Sequence, residues 1–427
     1  MAFSMSNMQY AQEMDARDNL APFRDEFVIE DPGLIYLDGN SLGRLPKRAL
    51  AVIQRAIEEE WGRRLIRSWN EGWLNTAKLL GGKIAHLIGA REDEVILVEA
   101  TSVNLFMLAA SALRARPDRK GIVSDALNFP SDLYILQGLA ELLGGQHDIT
   151  LIPSEDGIRI APQAVEAAID NDTALVCMTH VAFKSAFMYD MARVTRLAHQ
   201  NGALMLWDLS HSVGAVPLRL NDCQVDLAVG CTYKYLNGGP GAPAFLYVRR
   251  DLQEQLCTPM WGWFSCKEPF AFALDYEPAT DINRFRVGTP PILSIKAVEP
   301  GIDIFLEAGM ERVRAKSVRQ TEYLIALARE WLVPLGFRLG SPEDAGERGS
   351  HVSLRHPEGY RISRAMIESP PPAMRVIPDF RAPDYIRMGV TPLYTTFTEI
   401  YLAMNRVREI VEKKIYEQYS TERQAVT

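Results

Sequence analysis

Three segments of the chain place polar or charged side chains directly after an apolar run. Asp208 and His211 follow the run in "ALMLWDLSH", Lys234 follows the run in "DLAVGCTYK", and Thr101 and Ser102 follow the run in "EVILVEA". Because a charge at the end of a buried strand is costly unless it is paired, Asp208 and Lys234 each need a partner. They could pair with each other or with backbone groups, or they could serve catalysis.

Lys234 and Asp208 together suit the chemistry of an aldehyde cofactor. A partly desolvated lysine amine can lose its proton and form a Schiff base with an aldehyde, and a nearby carboxylate can keep a pyridine nitrogen protonated. Those are the requirements of pyridoxal 5'-phosphate. Its phosphate would find free backbone N–H groups at the start of the helix after "EATS", beside the hydroxyls of Thr101 and Ser102. Taken alone, Ser102 is also typical of an ordinary helix N-cap.

The segment "NFPSD" offers a ring and a carboxylate near another predicted turn from strand to helix. Phe129 could lie against a flat cofactor ring held at a strand end, although most phenylalanines serve only the core. Asp132 could contact a cofactor, or it could stabilise the first turn of the following helix through the helix dipole. The segment by itself leaves both interpretations open.

The region from about residue 94 to 250 supplies the scaffold that these side chains require. Short apolar runs alternate there with segments of helical periodicity, which is a βαβ pattern. Runs that are apolar on both faces and joined by helices predict a mostly parallel sheet with helices on both sides, and such sheets bind ligands beyond the carboxyl ends of their strands. The predicted strands are "EVILVEA", "GIVSD", "ITLIP", "ALVCMTHV", "ALMLWDLSH", "DLAVGCTYK" and "APAFLYV".

The segments on either side of this region have a different pattern. Before it, "PKRALAVIQRAIEEEW" predicts a helix with proline in its first turn, and after it "GTPPIL" ends the alternation. The later chain combines charged helices, short strands such as "HVSLRH" and a final amphipathic helix. We therefore predict an N-terminal arm and helix at 1–60 that packs on the small domain, a large cofactor-binding domain at 61–295, and a small α+β domain at 296–427.

The composition of the 427-residue chain argues against several classes of protein. Its net charge is -8 and no basic block stands out, which disfavours a nucleic-acid partner. We expect no membrane association and a cytoplasmic location, because neither a signal peptide nor a run of about 18 apolar residues is found. Five cysteines without a CxxC pair predict reduced thiols and no metal site. Small molecules are the expected partners.

Longer motifs then connect the chain to a known family. They are "YLDGNSLG", "LIRSWN", "TSVNLF", "NFPSDLY", "WDLSHSVGAVP", "GCTYKYLNGGPG", "RGSHVSLRHPEGY" and "TPLYTTFTE". Through them the chain resembles, nearly from end to end, the kynureninase family of pyridoxal-phosphate hydrolases. The resemblance implies an α/β fold of the aspartate-aminotransferase type (fold type I). That fold has a large domain with a mostly parallel seven-stranded sheet flanked by helices, and a smaller α+β C-terminal domain.

The resemblance also implies roles around the cofactor. Lys234 would form the Schiff base, Asp208 would hold the pyridine nitrogen, and His211 would lie beside the ring as part of the catalytic group. Tyr233 would be the general acid that protonates the substrate's β-carbon. The remaining residues expected around the cofactor within one chain are Thr101, Ser102, Phe129, Ser131, Asp132 and Thr179.

Further positions concern the partner subunit and the substrate. Trp263 and Thr289 would reach the phosphate from the neighbouring subunit, which implies a homodimer with shared active sites. Arg387 in "YIRMGVTPLY" would grip the α-carboxylate of an amino-acid substrate, a task that suits a planar fork of donors. The residues expected near the substrate's aryl ketone are Asn40, Ser41 and Trp69.

The activity that the resemblance implies is hydrolysis of the bond between the β-carbon and the γ-carbonyl of L-kynurenine or 3-hydroxykynurenine. The products would be L-alanine and anthranilate or 3-hydroxyanthranilate. The family context implies tryptophan catabolism by the kynurenine pathway, with a link to NAD biosynthesis.

The chain departs from the family's usual motifs in two places. It reads "GWFSC" where "GWFGH" is usual, and "THVAFKSA" where "THVNYKTG" is common. Because these changes remove hydrogen-bonding groups, one alternative is a related hydrolase that prefers a ring-substituted kynurenine. Two others are a fold type I lyase such as a cysteine desulfurase, and a pyridoxal-binding protein that has lost catalysis. The departures are Ala182, Phe183, Ala186, Ser265 and Cys266, and Cys266 is the one candidate for a desulfurase cysteine.

Overall fold

The computed structural model describes residues 5–423 and contains three β-sheets with helices packed around them. The strands are β1 (Leu34–Tyr36), β2 (Val95–Leu97), β3 (Gly121–Asp125), β4 (Asp148–Ile152), β5 (Thr173–Thr179), β6 (Leu204–Asp208), β7 (Leu227–Gly230), β8 (Phe245–Val248), β9 (Arg338–Leu339), β10 (His351–Arg355), β11 (Arg375–Ile377), β12 (Asp379–Arg381) and β13 (Tyr385–Gly389). The α-helices are α1 (Met8–Ala16), α2 (Lys47–Arg55), α3 (Trp73–Ile88), α4 (Thr101–Arg114), α5 (Pro130–Leu142), α6 (Pro162–Ala168), α7 (Met191–Gln200), α8 (Ile292–Ala308), α9 (Met310–Leu327), α10 (Gly359–Ile367) and α11 (Phe397–Glu412).

The largest sheet has seven strands in the order β2-β8-β7-β6-β5-β3-β4. All neighbours are parallel except β8, which runs antiparallel to both β2 and β7. Each of the seven predicted strands is present, and the prediction of an α/β fold with a mostly parallel sheet is confirmed. Every residue of β5 and β6 is buried because helices cover both faces, and this explains why their sequences are apolar throughout.

A second, smaller group of elements follows in the C-terminal third. Its antiparallel sheet has the order β12-β13-β10-β9, α10 packs on this sheet, and α11 packs on α10. The N-terminal arm joins this group, since β1 pairs with β11 and α1 packs on α11. At the start of α11, Thr396 Oγ1 accepts the Glu399 N–H at 3.0 Å and Glu399 accepts the Thr396 N–H at 2.9 Å, which is a capping box.

Two hydrophobic cores accompany these two groups. The predicted domain boundaries at 60/61 and 295/296 stay predictions. The side chains of α8 that are buried, such as Val298, Ile302 and Phe305, belong to the first core together with the large sheet. The second core contains Ala11 of α1 and Ile35 of β1.

No helix within residues 5–423 combines the length and apolarity needed to cross a membrane. In the same part of the chain, no group of three or more His, Cys, Asp or Glu side chains is arranged to hold a metal ion, and all five cysteines are free.

Asp125, at the end of β3, gives the fold a pH-dependent stability. Its carboxyl group is fully buried, Oδ1 accepts the Leu127 N–H at 2.7 Å, and burial raises the pKa of Asp125 to about 6. The pKa of an aspartate in an unfolded chain is about 3.9, so the folded state binds the proton more tightly. The resulting stabilisation is complete below the unfolded pKa and is lost as pH rises through about 6.

We expect Asp125→Asn to be more stable than the wild type at pH 8, by about 2–3 kcal/mol. The asparagine keeps the acceptor for Leu127 and removes the buried charge. Urea unfolding of both proteins at pH 4 and pH 8 checks this. The difference between the two proteins should be small at pH 4, and an equal or lower stability of the variant at pH 8 would contradict the assignment.

Candidate active site

A cavity of about 200 Å³ lies where the carboxyl ends of the central strands meet β12 and β13 of the small sheet. Its floor is formed by the ends of β6 and β7, and its walls include the first turns of α4 and α5. The predicted residues that line it are Asn40, Ser41, Thr101, Ser102, Phe129, Ser131, Asp132, Asp208, His211, Tyr233, Lys234 and Arg387.

The Lys234 amine lies at the centre of this arrangement. Its Nζ is 3.0 Å from Nε2 of His211 and 5.9 Å from the centroid of the Phe129 ring. Burial, followed by the charge of Lys234, lowers the pKa of His211 well below its ordinary value. The imidazole is therefore neutral, and its Nε2 can accept a hydrogen bond from the lysine amine.

Gly43 of the "GNSLG" motif packs directly against the Lys234 segment. Its N–H donates to the carbonyl oxygen of Tyr233 at 2.8 Å, and a Cβ at Gly43 would lie 2.3 Å from the carbonyl oxygen of Lys234. Only glycine permits this approach of the two backbones. The N-terminal arm thus fixes the position of the lysine-bearing turn.

Two buried carboxyl groups face the lysine. Asp208 ends β6, and its Oδ1 accepts the Ser210 N–H at 2.8 Å. Burial raises the pKa of Asp208, and the charge of Lys234 opposes the change. Burial and then the charge of Asp208 raise the pKa of Asp132 well above its ordinary value, and Asp132 Oδ2 has no hydrogen-bond partner. The two carboxyl groups could therefore interact with a second positively charged group besides Lys234.

The first turns of α4 and α5 meet at the side of the cavity. Ser102 Oγ and Ser131 Oγ are 2.9 Å apart. Ala100 is the N-cap of α4 and supplies no side-chain acceptor, so the interpretation of Ser102 as an ordinary N-cap is wrong. The N–H groups of this turn, with the two hydroxyls, form a site that suits an anion such as phosphate.

Arg387 lies on the opposite wall and is fully buried. The antiparallel pairing of β12 and β13 places Asp379 directly across from it, and its Nε and Nη2 both contact Asp379 Oδ2. Its Nη1 donates to the carbonyl oxygen of Phe183 at 2.5 Å, and its Nη2 donates to Ser41 Oγ at 2.9 Å. A guanidinium held in this way can receive a carboxylate that enters the cavity.

The amide of Asn40 is a further polar group without a partner. The side chain is fully buried, and neither its oxygen nor its nitrogen makes a hydrogen bond within the described chain. It packs so tightly on β13 that a Cβ at Gly389 would lie 1.9 Å from its oxygen. A buried amide without partners in the wall of a cavity suits a polar group of a ligand.

The departures from the family motifs occupy different places. Phe183 lines the cavity and packs edge-to-face on Phe129, with 5.1 Å between ring centroids. Ala186 is buried outside the cavity wall. Ser265 bonds to Gly262 and to the Tyr276 hydroxyl within its own loop, and Cys266 lines a separate cavity. Of the five departures, only Phe183 lines this cavity within the single chain.

Four predicted residues do not line the cavity of the single chain. Thr179 ends β5 opposite Asp208, and its hydroxyl donates to the carbonyl of Val181. Trp69 and Trp263 both pack on Phe264, at centroid distances of 6.1 Å and 4.1 Å. The fourth residue, Thr289, is exposed.

Several residues around the cavity were not predicted. Ser210 lies between two predicted residues in "WDLSH", and this spacing could have indicated it. Asp38 lies beside Ser41, and burial and the charge of Asp379 raise the pKa of Asp38 to about 6. Arg381 lines the cavity from β12, which is three residues long and carries no recognisable pattern. Its contribution depends on a strand pairing that the sequence does not reveal.

Comparison with known proteins first defines the class. The family model "Aminotransferase class-V" matches residues 35–357, and "Kynureninase C-terminal domain" matches residues 313–407. Among solved structures, the apo cysteine desulfurase from Thermococcus onnurineus NA1 superposes with a TM-score of 0.77 at 17% identity, covering 94% of this chain and 98% of that one. The cysteine desulfurase CsdA from Escherichia coli gives 0.76 at 16% identity, with 92% and 99% covered. These structural likenesses define the fold.

Similar sequences define the family within that class. A kynureninase from Pseudomonas fluorescens is 45% identical over 410 residues, which cover 95% of this chain and 95% of that protein. A kynureninase from Burkholderia mallei (strain SAVP1) is 43% identical over 417 residues, with 96% and 97% covered. The chain belongs to the kynureninase family.

Proposed function

We propose that this protein is a pyridoxal-phosphate-dependent hydrolase that cleaves the Cβ–Cγ bond of L-kynurenine or 3-hydroxykynurenine. The products are L-alanine and anthranilate or 3-hydroxyanthranilate. The observation that carries the proposal is one cavity with Lys234 and two buried carboxyl groups on one side and Arg387 on the other. The first side suits an aldehyde cofactor with a basic ring nitrogen, and the second suits an amino acid's carboxylate. Membership of the kynureninase family supports the same substrate class.

The residues present fit pyridoxal phosphate. Burial raises the pKa of both Asp208 and Asp132, and a protonated ring nitrogen beside them would stabilise a carboxylate there as a second positive group besides Lys234. The hydroxyls of Ser102 and Ser131 at the helix N-termini suit the phosphate. When bound, the cofactor supplies an aldehyde for the amine and an electron sink for the carbanion that forms during bond cleavage.

The chain's own groups would move the protons. The neutral imidazole of His211 can accept a hydrogen bond from the Lys234 amine at 3.0 Å and orient it, and the amine in its unprotonated form can move the substrate's α-proton. Tyr233 is our candidate for the acid that protonates the β-carbon. The proximity of Cys231 and burial raise the pKa of Tyr233 above its ordinary value, so its hydroxyl keeps its proton at neutral pH. Asn40 and Ser41 lie where they could orient the substrate.

We further propose a homodimer in which Trp263 and Thr289 complete the partner's site. Exposed apolar side chains concentrate near Trp263, and a cluster of this kind favours burial against another chain. The members of the cluster are Met260, Trp261, Trp263, Phe270, Phe272 and Leu274. Trp69 packs on the same loop through Phe264 and would belong to the shared site. A cytoplasmic location and a role in tryptophan catabolism complete the proposal.

Two alternatives make different demands on the cavity. A hydrolase that prefers a ring-substituted kynurenine would have to distinguish the substrate's ring partly through Phe183, the one departure from the family motifs that lines the cavity. A cysteine desulfurase needs a reactive thiol beside Lys234. No cysteine among the described residues lines the cavity, and Cys266 lies elsewhere, so the structure favours the kynurenine hydrolase.

The test is to mix the protein with pyridoxal phosphate and L-kynurenine and to follow anthranilate fluorescence, with 3-hydroxykynurenine and a ring-methylated kynurenine in parallel. Release of alanine and anthranilate supports the proposal, and the ratio of kcat/KM values assigns the ring preference. Release of alanine from cysteine alone would favour the desulfurase. Cofactor binding without cleavage of any kynurenine would indicate a protein that has lost catalysis.

A further inference from the structure

The contacts of Arg387 within the protein leave few of its N–H groups free to bind a substrate. A guanidinium carries five N–H groups. In this structure Nε and one N–H of Nη2 face Asp379, the other N–H of Nη2 faces Ser41, and one N–H of Nη1 faces the carbonyl of Phe183. A single N–H therefore remains for a ligand. A carboxylate has two oxygens that each accept hydrogen bonds, so it needs a second donor in this wall unless it displaces a contact of Arg387.

A second guanidinium lies close enough to supply that donor. Asp379 and Arg381 are two residues apart on β12, so both side chains project from the same face of the strand as the cavity. Nε of Arg381 is 3.2 Å from Asp379 Oδ2, the same oxygen that Arg387 contacts. Asp379 thus bridges the two arginines and is itself almost completely buried.

Arg381 is also available to a ligand. Its side chain retains 36% of its exposure and lines the cavity. Apart from the ion pair with Asp379, its guanidinium makes no hydrogen bond to another residue in the part of the chain that the structure describes. The two arginines carry two positive charges against the single negative charge of Asp379, and the nearby Asp38, whose pKa burial raises to about 6, offsets part of the remaining positive charge.

We propose that Arg381 is a second substrate-binding residue that receives the α-carboxylate jointly with Arg387, and that Asp379 is the residue that positions the two guanidinium groups. The proposal rests on the proposed function, because it assigns the ligand as an amino acid. It also predicts a specificity: the cavity selects for a free carboxylate at this wall and discriminates against the corresponding amide. Neither residue takes part in bond cleavage.

The test is Arg381→Gln in the full chain loaded with cofactor. We expect KM for L-kynurenine to rise by about 10- to 100-fold, as for loss of a charge-assisted hydrogen bond, with kcat within about threefold of the wild type. The binding of L-alanine, measured by calorimetry, should weaken by a similar factor. The binding of L-alaninamide, which lacks the carboxylate, should not change.

Matched variants separate this role from a structural one. Arg375→Gln is the control, because Arg375 lies on β11, forms an ion pair with Asp31 and does not line the cavity. This variant should leave KM, kcat and the binding of both ligands unchanged. Asp379→Asn should weaken the binding of L-alanine and leave the binding of L-alaninamide unchanged, because the two guanidinium groups lose the carboxylate that they both contact. A merely structural role would weaken the binding of both ligands alike, and the melting temperature does not separate the two roles because breaking the buried pair with Arg387 lowers it in either case.

The proposal fails if Arg381→Gln weakens the binding of L-alanine and of L-alaninamide equally, or if it weakens the binding of neither ligand. It also fails if the wild type binds the amide as tightly as L-alanine. The binding measurements do not depend on turnover. If the wild type releases no anthranilate, the proposed function fails, and the comparison of L-alanine with its amide still decides the role of Arg381.

Discussion

Lys234→Ala is expected to lower kcat for L-kynurenine by about 10³- to 10⁴-fold, the largest effect of any single change. The variant loses the amine that binds the aldehyde and the group that moves the α-proton. The cavity offers no substitute, because Lys234 is its only lysine among the described residues and burial lowers the pKa of His211 so far that its imidazole is a weak base. Discontinuous assays of anthranilate release, with the cofactor added in excess, measure the decrease in kcat.

Lys83→Ala is the matched control for this substitution. Lys83 lies on α3 and pairs with Glu299 and Asp303 outside the cavity, so its removal should leave kcat within about twofold. The absorbance of bound cofactor provides a second measurement, since Lys234→Ala should remove the band that arises from the lysine adduct. Retention of more than a tenth of wild-type kcat by Lys234→Ala would exclude the lysine from catalysis.

Arg387→Lys is expected to lower kcat/KM by about 10²-fold or more, mainly through KM. The ammonium keeps the positive charge but cannot contact Asp379, Ser41 and Phe183 at once, because it lacks the planar fork. Binding of L-alanine should weaken in parallel. Steady-state kinetics across a wide range of L-kynurenine concentrations separate KM from kcat.

Arg387→Ala should also destabilise the fold, by about 3–5 kcal/mol, because Asp379 would remain buried without its main partner. The double variant Arg387→Ala with Asp379→Ala should recover part of this stability, since it leaves neither charge unpaired. Urea unfolding of the three variants measures both effects. A fully stable Arg387→Ala protein, or one with an unchanged KM, would contradict the assignment of this ion pair and of the carboxylate site.

The sequence by itself determined the large sheet and the residues at its edge. Strands such as β5 and β6 are buried on both faces, so their apolar runs are continuous and easy to recognise. In a parallel sheet the residues after successive strands meet at one edge, and this rule placed Asp208 and Lys234 together before any contact was known. The chemistry of a lysine and a carboxylate at strand ends suggested their roles towards an aldehyde cofactor, and the family motifs then assigned those roles.

The family motifs indicated Arg387 as a substrate residue, and only the tertiary structure decided which residues surround it in the opposite wall of the cavity. Asp379 and Arg381 lie on a strand of three residues, and they reach the site because β12 pairs with β13 and β13 packs against the end of the large sheet. The buried amide of Asn40 likewise depends on the packing of the N-terminal arm on Gly389. The contact between Asn40 and Gly389 joins residues about 350 positions apart in the chain, and local patterns carry no information on a contact of that range.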